Sequence, residues 1–141
     1  MDSLIIEPKE DSPAVKFDTE SNRFILSGES RPEDAGKFYN PIISWLTNFE
    51  GILYWRKNEM QDSAPSLLFI FNFEYFNSTS AKYIMDIMIV IKKFINKGYK
   101  INVEWHYSEE GDDILDSGKE FSSMLDLQFN FVDNSVPGTQ S

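Results

Sequence analysis

The sequence predicts a single-domain α/β fold built on a mixed sheet, and three features predict it. Residues 4–29 break into short extended pieces suited to an antiparallel N-terminal hairpin; Leu67-Leu68-Phe69-Ile70-Phe71 is a continuous apolar run of the kind buried inside a sheet; and an apolar-striped helix links that run to a second alternating segment. Strand, helix and strand joined this closely imply a right-handed parallel βαβ crossover. The chain has 141 residues, enough for one cored domain and too few for two. That domain is expected to span 1–132, with a polar tail at 133–141.

The extended pieces are 4–6, 14–18 and 24–26, the last ending at Gly28, with Glu20-Ser21-Asn22 as the hairpin turn. Ser30 stands three residues before Glu33 with Pro32 between them, the spacing of an N-cap and capping box, so a helix is expected from there to about Glu50. Its apolar stripe is Phe38, Ile42, Trp45, Leu46 and Phe49. Pro41 lies inside and is expected to kink or restart the helix, because proline lacks the N–H and crowds the preceding turn. Residues 54–66, with Arg56-Lys57-Asn58-Glu59 and Gln61-Asp62-Ser63, read as a charged, mobile connection after any continuation of that helix.

The apolar run opens a central strand whose far end, through Asn72, Phe73, Glu74, Tyr75 and Phe76, becomes half exposed. A helix follows from Ser78 or Ser80 to about Asn96, striped by Ile84, Ile87, Met88, Ile91, Phe94 and Ile95 and stopped by Gly98. Over 100–107, Ile101, Val103 and Trp105 alternate inward against Asn102, Glu104 and His106 outward. Residues 112–125 form a third helix with Ile114, Leu115, Phe121, Met124 and Leu125 apolar, weakened by about 1 kcal/mol at Gly118 relative to alanine. Residues 127–132 alternate as a closing edge strand.

Composition narrows the function classes. With 41% hydrophobic and 15% aromatic residues, 12 of them Phe, the chain has the apolar area for an aromatic core. A formal charge of −10 repels phosphodiester backbones and anionic lipid, and no Lys/Arg run offsets it, so nucleic acid is not an expected partner. The absence of cysteine excludes disulfides and thiolate metal sites. Met1-Asp2-Ser3-Leu4 lacks a secretory layout, and the longest apolar stretch, 83–95, is interrupted by Asp86, Lys92 and Lys93 and is too short to span a bilayer. A cytoplasmic protein without membrane insertion is the expectation.

The chemically informative stretch is Glu74-Tyr75-Phe76-Asn77-Ser78-Thr79-Ser80-Ala81-Lys82, where an aromatic strand ends in three hydroxyl residues and a helix begins. One reading is capping alone: a hydroxyl oxygen accepts from a backbone N–H two or three residues on. The other is a phosphorylation switch. A phosphate there carries about −1.5 to −2 charges, gains up to about 2 kcal/mol from the helix terminus, and reaches Lys82 one turn along. His106, the only histidine, lies beside Glu104 and near Glu109, Glu110, Asp112 and Asp113, which raises a general-base or cation site as a rival. That run has no second histidine and no calcium-loop spacing, so an exposed strand end and an acidic helix start account for it. No Gly-rich phosphate loop or nucleophile elbow is present, and neither catalytic residue, cofactor nor metal is expected. Trp45, Trp55 and Trp105 follow element periodicity and read as core.

Two stretches together resemble the SiaC family of bacterial regulatory phosphoproteins. The first is Gly28-Glu29-Ser30-Arg31-Pro32-Glu33 followed by Phe38-Tyr39 and Trp45; the second is Tyr75-Phe76-Asn77-Ser78-Thr79-Ser80-Ala81-Lys82 with Met85-Asp86-Ile87. Pro13-Ala14-Val15 and Trp105-His106-Tyr107 support them, and the resemblance spans most of residues 4–132. It implies an α/β domain similar in outline to anti-sigma-factor antagonists of the STAS type. It further implies that the protein is phosphorylated by a kinase, restored by a PP2C-type phosphatase, and active in its unmodified form on a diguanylate cyclase. The family's acceptor directly follows the asparagine, which carries over to Ser78, with Thr79 and Ser80 as alternatives; this chain departs from the family pattern in having serine there and threonine next. The expected function is therefore non-enzymatic partner switching at Ser78 in cyclic di-GMP signalling, with Asn77, Thr79, Ser80, Lys82 and Tyr83 as the recognition patch. Its rivals are a STAS-type anti-sigma-factor antagonist and, in a different class, a ligand-binding or enzymatic domain using His106 and the acids after it.

Overall fold

Alternating apolar residues build six strands, and a computed structural model, which describes residues 1–59, 65–108 and 112–135, sets them side by side in chain order. They are β1 (Leu4–Ile6), β2 (Ala14–Asp18), β3 (Arg23–Ser30), β4 (Leu67–Phe76), β5 (Ile101–Tyr107) and β6 (Asn130–Asp133). The pairs β1/β2 and β2/β3 are antiparallel, and β3/β4, β4/β5 and β5/β6 are parallel, so the sheet is mixed as the pattern predicts. Three helices make the parallel crossovers: α1 (Ala35–Glu59), α2 (Ser78–Asn96) and α3 (Asp112–Leu125).

Register decides where the core lies. Phe24, Phe69 and Val103 are paired across β3, β4 and β5, as are Leu26, Phe71 and Trp105, so these six side chains share one face. On that face Phe24 meets Phe49 of α1 at 5.3 Å, Phe69 meets Phe94 of α2 at 6.1 Å, and Trp105 meets Phe121 of α3 at 5.7 Å between ring centroids. All three helices therefore cover the same side. Alternation sends Ile25, Ile70, Asn72, Glu104 and His106 to the other, helix-free side. Among the described residues, no helix is long and apolar enough to cross a membrane.

Several expectations need correction. β3 does not end at Gly28: that residue adopts φ 104° and the register shifts there, a bulge that carries Glu29 and Ser30 into pairing with Tyr75 and Phe76. Ser30 is thus a strand residue, and the cap of α1 is Asp34, whose Oδ1 accepts from the Lys37 N–H at 3.1 Å. Pro41 does not restart the helix. It lies on the exposed side, where the Lys37 carbonyl that loses its helical donor belongs to an exposed residue rather than to the core. α1 also runs past Glu50 to Glu59, so most of the expected 54–66 connection that is described is helix; residues 60–64 lie outside the described residues.

Other corrections concern which side chains are buried. Trp55 is 54% exposed because the buried stripe of α1, Ile42, Leu46, Phe49 and Leu53, leaves position 55 on the far side. Met124 is 67% exposed, since α3 turns Ile114 and Phe121 inward instead. β6 is shorter than expected: Leu127 and Phe129 fill the core, with the Leu127 N–H bonded to the Ser122 carbonyl, and pairing begins at Asn130. Asn134 and Ser135, assigned from sequence to the tail, form a turn against the sheet; residues 136–141 lie outside the described residues.

Gly118 occupies the helix position that faces the largest buried side chain. Trp105 is fully buried, stacks on Phe129 at 5.9 Å, and donates its indole N–H to the Ile114 carbonyl at 2.8 Å. A Cβ on Gly118 would lie 2.4 Å from that indole. Gly118→Ala is therefore expected to destabilise the fold by about 1–3 kcal/mol through overpacking. Gly51→Ala, in the open on α1, should instead stabilise by up to about 1 kcal/mol through helix propensity. Urea denaturation of both variants checks the contrast.

Candidate functional site

The hydroxyl-rich junction lies where β4 hands over to α2. Asn77 is the N-cap: its backbone is extended (φ −85°, ψ 174°) and its Oδ1 accepts from the Ser80 N–H at 2.8 Å. The cap is thus the asparagine rather than one of the three hydroxyls considered for that role. The first intrahelical bond runs from the Ala81 N–H to the Asn77 carbonyl at 3.0 Å. The N–H groups of Ser78, Thr79 and Ser80 precede that bond, and Asn77 takes the last of them. The amino end of α2 therefore presents outward donors and the positive end of its dipole beside Ser78 and Thr79, both of which are exposed.

Ser80 is placed differently. It is fully buried, and its Oγ accepts from Ser30 Oγ at 2.9 Å. Ser30 Oγ in turn lies 2.5 Å from the Tyr39 hydroxyl; with its own proton committed to Ser80, Ser30 accepts and Tyr39 donates. A chain of three buried hydroxyls thus ties the end of β3, the start of α1 and the start of α2. The Asn77 N–H adds a backbone bond to the Ser30 carbonyl at 3.1 Å. Ser80 accordingly has no surface from which to take a phosphate or touch a partner, and it drops out of the expected acceptor and recognition sets.

The remaining residues of the expected patch converge. Tyr83 is half-buried, its ring stacked on Tyr39 with centroids 5.7 Å apart and planes 5° apart. Lys82 is exposed, with Nζ 4.9 Å from the Tyr83 ring centroid, a cation–π contact on the same face of the helix as Ser78. Tyr75, 48% exposed, adds a large aromatic side chain two residues before the cap. The sequence pattern marked this strand end as half exposed, and Tyr75 was not counted among the recognition residues.

His106 belongs to a separate place. It was expected at an exposed strand end, yet it is 6% exposed. Its Nε2 lies 2.9 Å from Glu104 Oε1 and its Nδ1 lies 3.0 Å from Asn134 Oδ1, because the turn after β6 folds back over the helix-free side of the sheet. Asn134 Nδ2 then donates to Asn72 Oδ1 at 2.9 Å. Among the described residues no group of three or more His, Asp or Glu side chains is placed to hold a metal ion. Of the acidic stretch proposed to join His106, residues 109–111 and the Asp112 side chain lie outside the described residues.

Burial of the hydroxyl chain has a measurable consequence. Burial pushes the Tyr39 phenol up to about 12, against the smaller opposing pull of its hydrogen bonds to Ser30 and Ser80. The folded state therefore holds this proton where the unfolded chain, with phenols near 10, has begun to release it. Stability from this source is complete below about pH 10 and is lost as pH rises toward about 12. Tyr39→Phe should flatten that part of the alkaline decline in denaturant unfolding, while costing about 1–3 kcal/mol at neutral pH by leaving Ser30 without a donor.

A family model described as SiaC family regulatory phosphoprotein matches residues 6–134. An uncharacterized protein of Pseudomonas aeruginosa strain UCBPP-PA14 is 24% identical over 132 residues, covering 94% of this chain and 95% of its own length. The crystal structure of apo-SiaC from Pseudomonas aeruginosa superposes with a TM-score of 0.76 at 24% identity, covering 94% of this chain and 98% of that one. A chain in the crystal structure of the diguanylate cyclase SiaD in complex with its activator SiaC, from the same organism, gives 0.75 at 24% identity, covering 92% and 97%. At this identity the structural likeness establishes the fold.

Proposed function

The chain belongs to the SiaC family of regulatory phosphoproteins, and on that premise we propose that it switches protein partners through phosphorylation of Ser78. The family's character makes it a regulator rather than an enzyme. The observation that carries the switch is the division of labour at the amino end of α2. Ser80 is buried and bonded to Ser30, whereas Ser78 is exposed at the first helical position and its hydroxyl belongs to no buried contact. A phosphate on Ser78 adds about −1.5 to −2 charges where the helix dipole and unpaired N–H groups stabilise them, with Lys82 one turn along. The interior keeps its hydrogen bonds. The surface formed by Asn77, Ser78, Thr79, Lys82 and Tyr83 changes from singly cationic to net anionic.

The partner in this reading is an effector that docks on the unmodified patch. SiaC of Pseudomonas aeruginosa is an activator of the diguanylate cyclase SiaD, which makes a diguanylate cyclase the first candidate for the effector here. A protein kinase and a PP2C-type phosphatase would set the state of Ser78 in the cytoplasm, with Thr79 as the alternative acceptor. A partner packed against Ser78 would have to desolvate the added dianion. A penalty of about 3 kcal/mol corresponds to about a hundredfold loss of affinity.

Ser78→Asp should keep the thermal stability of the native chain yet bind the host's diguanylate cyclase at least about a hundredfold more weakly. Ser78→Ala should bind constitutively and resist the kinase. Calorimetry with the purified cyclase, together with intact-mass and peptide mapping of protein from its own host, checks both. Equal binding by the two variants would end the switch, and a phosphate found only on Thr79 would move the acceptor by one residue.

A further inference from the structure

The carboxyl half of α1 carries a glycine that the fold does not call for. A Cβ on Gly51 would meet nothing within 4 Å, so no neighbour requires its side chain to be absent. Glycine is among the poorest helix formers, and its place in mid-helix costs stability that no packing contact offsets. The side chains around it are equally telling. Trp55 is 54% exposed and Tyr54 is 49% exposed, and positions three and four residues after Gly51 lie on either side of it around the helix. Gly51 is therefore the floor of a notch between two outward aromatic side chains. On the Trp55 side the notch opens into a shallow groove of about 520 Å³, lined also by Met1, Thr47, Asn48 and Ile52.

Charge around the notch runs against that of the molecule. Residues 35–59 and 78–97, which hold α1, α2 and the cap that ends α2, contain seven Lys or Arg and three Asp or Glu, a surplus of four. On a chain of −10 that surplus leaves −14 to everything else. The positive groups gather at the carboxyl ends of the two helices. Lys97 pairs with Glu50 and lies 4.9 Å from the Tyr54 ring centroid, and Lys57 lies 5.3 Å from the ring centroid of Tyr99, just after α2. Arg56, next along α1, and Lys93, one turn before Lys97, are exposed. Glu50 is committed to Lys97, which leaves Glu59 as the acid exposed at this end of α1. Helix dipoles favour cations at these ends, but they give no reason for an exposed Tyr–Trp pair beside them.

We propose that this notch is a docking site for an acidic amphipathic segment of a partner protein, which sets an apolar side chain over Gly51 between Tyr54 and Trp55 and turns its carboxylates toward Arg56, Lys57 and Lys97. The missing side chain at 51 lets the partner approach the α1 backbone closely. Tyr, Trp and Arg are the residues that carry most binding energy at protein interfaces, and an apolar anchor beside a basic rim suits an amphipathic ligand. A nucleic acid or an anionic membrane would extend beyond this small positive zone, because charge is screened over about 8 Å at physiological ionic strength, and would meet the acidic remainder of the surface. Gly51 lies roughly 24 Å along α1 from Ala35, whereas Ser78 sits at the amino end of α2 beside the start of α1, so the site is separate from the phosphorylation switch.

Titration of the full chain with a peptide of leucine and glutamate in amphipathic helical order, followed by backbone amide and indole NMR, tests the assignment; the same peptide with lysine in place of glutamate is the control. The glutamate peptide should shift the signals of Gly51, Trp55 and Gly98 but not those of Asn77 and Ser78, and its affinity should fall at least about fivefold between about 50 and 300 mM salt. Gly51→Ala should raise the urea midpoint yet weaken the peptide at least about threefold, two effects of opposite sign that a purely structural glycine would not give. Arg56→Glu, on an exposed position, should weaken it at least about tenfold. Ser78→Asp should bind it as tightly as the native chain, so this site and the switch stand or fall separately. Absence of shifts at millimolar peptide, equal affinity for the lysine peptide, or undiminished binding by Gly51→Ala or Arg56→Glu would each overturn the proposal. So would shifts of the same signals on concentrating the free protein, which would assign the face to a second copy, or tighter binding to phosphatidylserine vesicles, which would assign it to a membrane.

Discussion

The Ser30 hydroxyl is the point through which the junction of β3, α1 and α2 is held. Three elements distant in sequence meet there, and each contributes a buried hydroxyl: Ser30 from β3, Tyr39 from α1 and Ser80 from α2. Ser30, Tyr39 and Ser80 are each fully buried, so every proton and lone pair left without a partner costs free energy that water would otherwise supply. A Ser–Ser–Tyr chain satisfies that demand only in one spatial arrangement. The bulge at Gly28 is what brings Ser30 opposite Phe76, and so within reach of the helix that starts two residues later. The extra residue lies in β4, so without the bulge Phe76 would turn to the other face, while Ser30, in phase with Phe24 and Leu26, would lie opposite Tyr75 instead. The amino end of α2 is thus fixed by a contact beneath it, independent of anything on its outer surface.

That fixed end sits on a one-sided architecture. Crossovers of one hand that step each time to the adjacent strand place every helix on the same face, so the aromatic core is built once, around Trp105, Phe69 and Phe24. The opposite face must manage without helices. It does so with polar groups that bond to one another, Glu104 to His106, His106 to Asn134 and Asn134 to Asn72, and the turn after β6 shields the ring of His106.

Much of this was legible from local pattern. The periods of 2 and 3.6 located every strand and helix, and the junction at Asn77 was visible because an apolar strand, a polar break and an apolar helical stripe follow one another without a gap. What escaped were relationships between distant residues. Ser30 with Glu33 has capping-box spacing, and only the pairing of Ser30 with Phe76 shows that it is a strand residue instead; Asp34, directly before the helix, was the signal that could have corrected it. His106 alternates outward, and its burial depends on Asn134, 28 residues away. Gly118 reads as a weakness of α3 until Trp105 is seen to fill the space its side chain would take. The extent of α1 beyond Glu50 is of the same kind, since charged residues such as Arg56 and Lys57 suit a solvated last turn as well as a loop.

In the proposed switch, the two serines at the junction divide the work so that the surface is recoded without cost to the interior. Each residue of an α-helix rotates the side chain by about 100°, so Ser78 and Ser80 point about 200° apart, on nearly opposite sides. A first helical turn laid against the sheet at Ser80 must therefore turn position 78 to solvent, whatever the rest of the sequence. Exchanging the roles of the two hydroxyls would place a modified group against Ser30 and Tyr39, where a dianion has neither water nor a cation and would force the junction apart. With the actual phase, charge added at Ser78 meets N–H donors, the helix dipole and Lys82, all on the outside. The helical phase, set by Asn77 as cap and Ser80 as anchor, is what separates the hydroxyl that builds the fold from the one left exposed at the helix start.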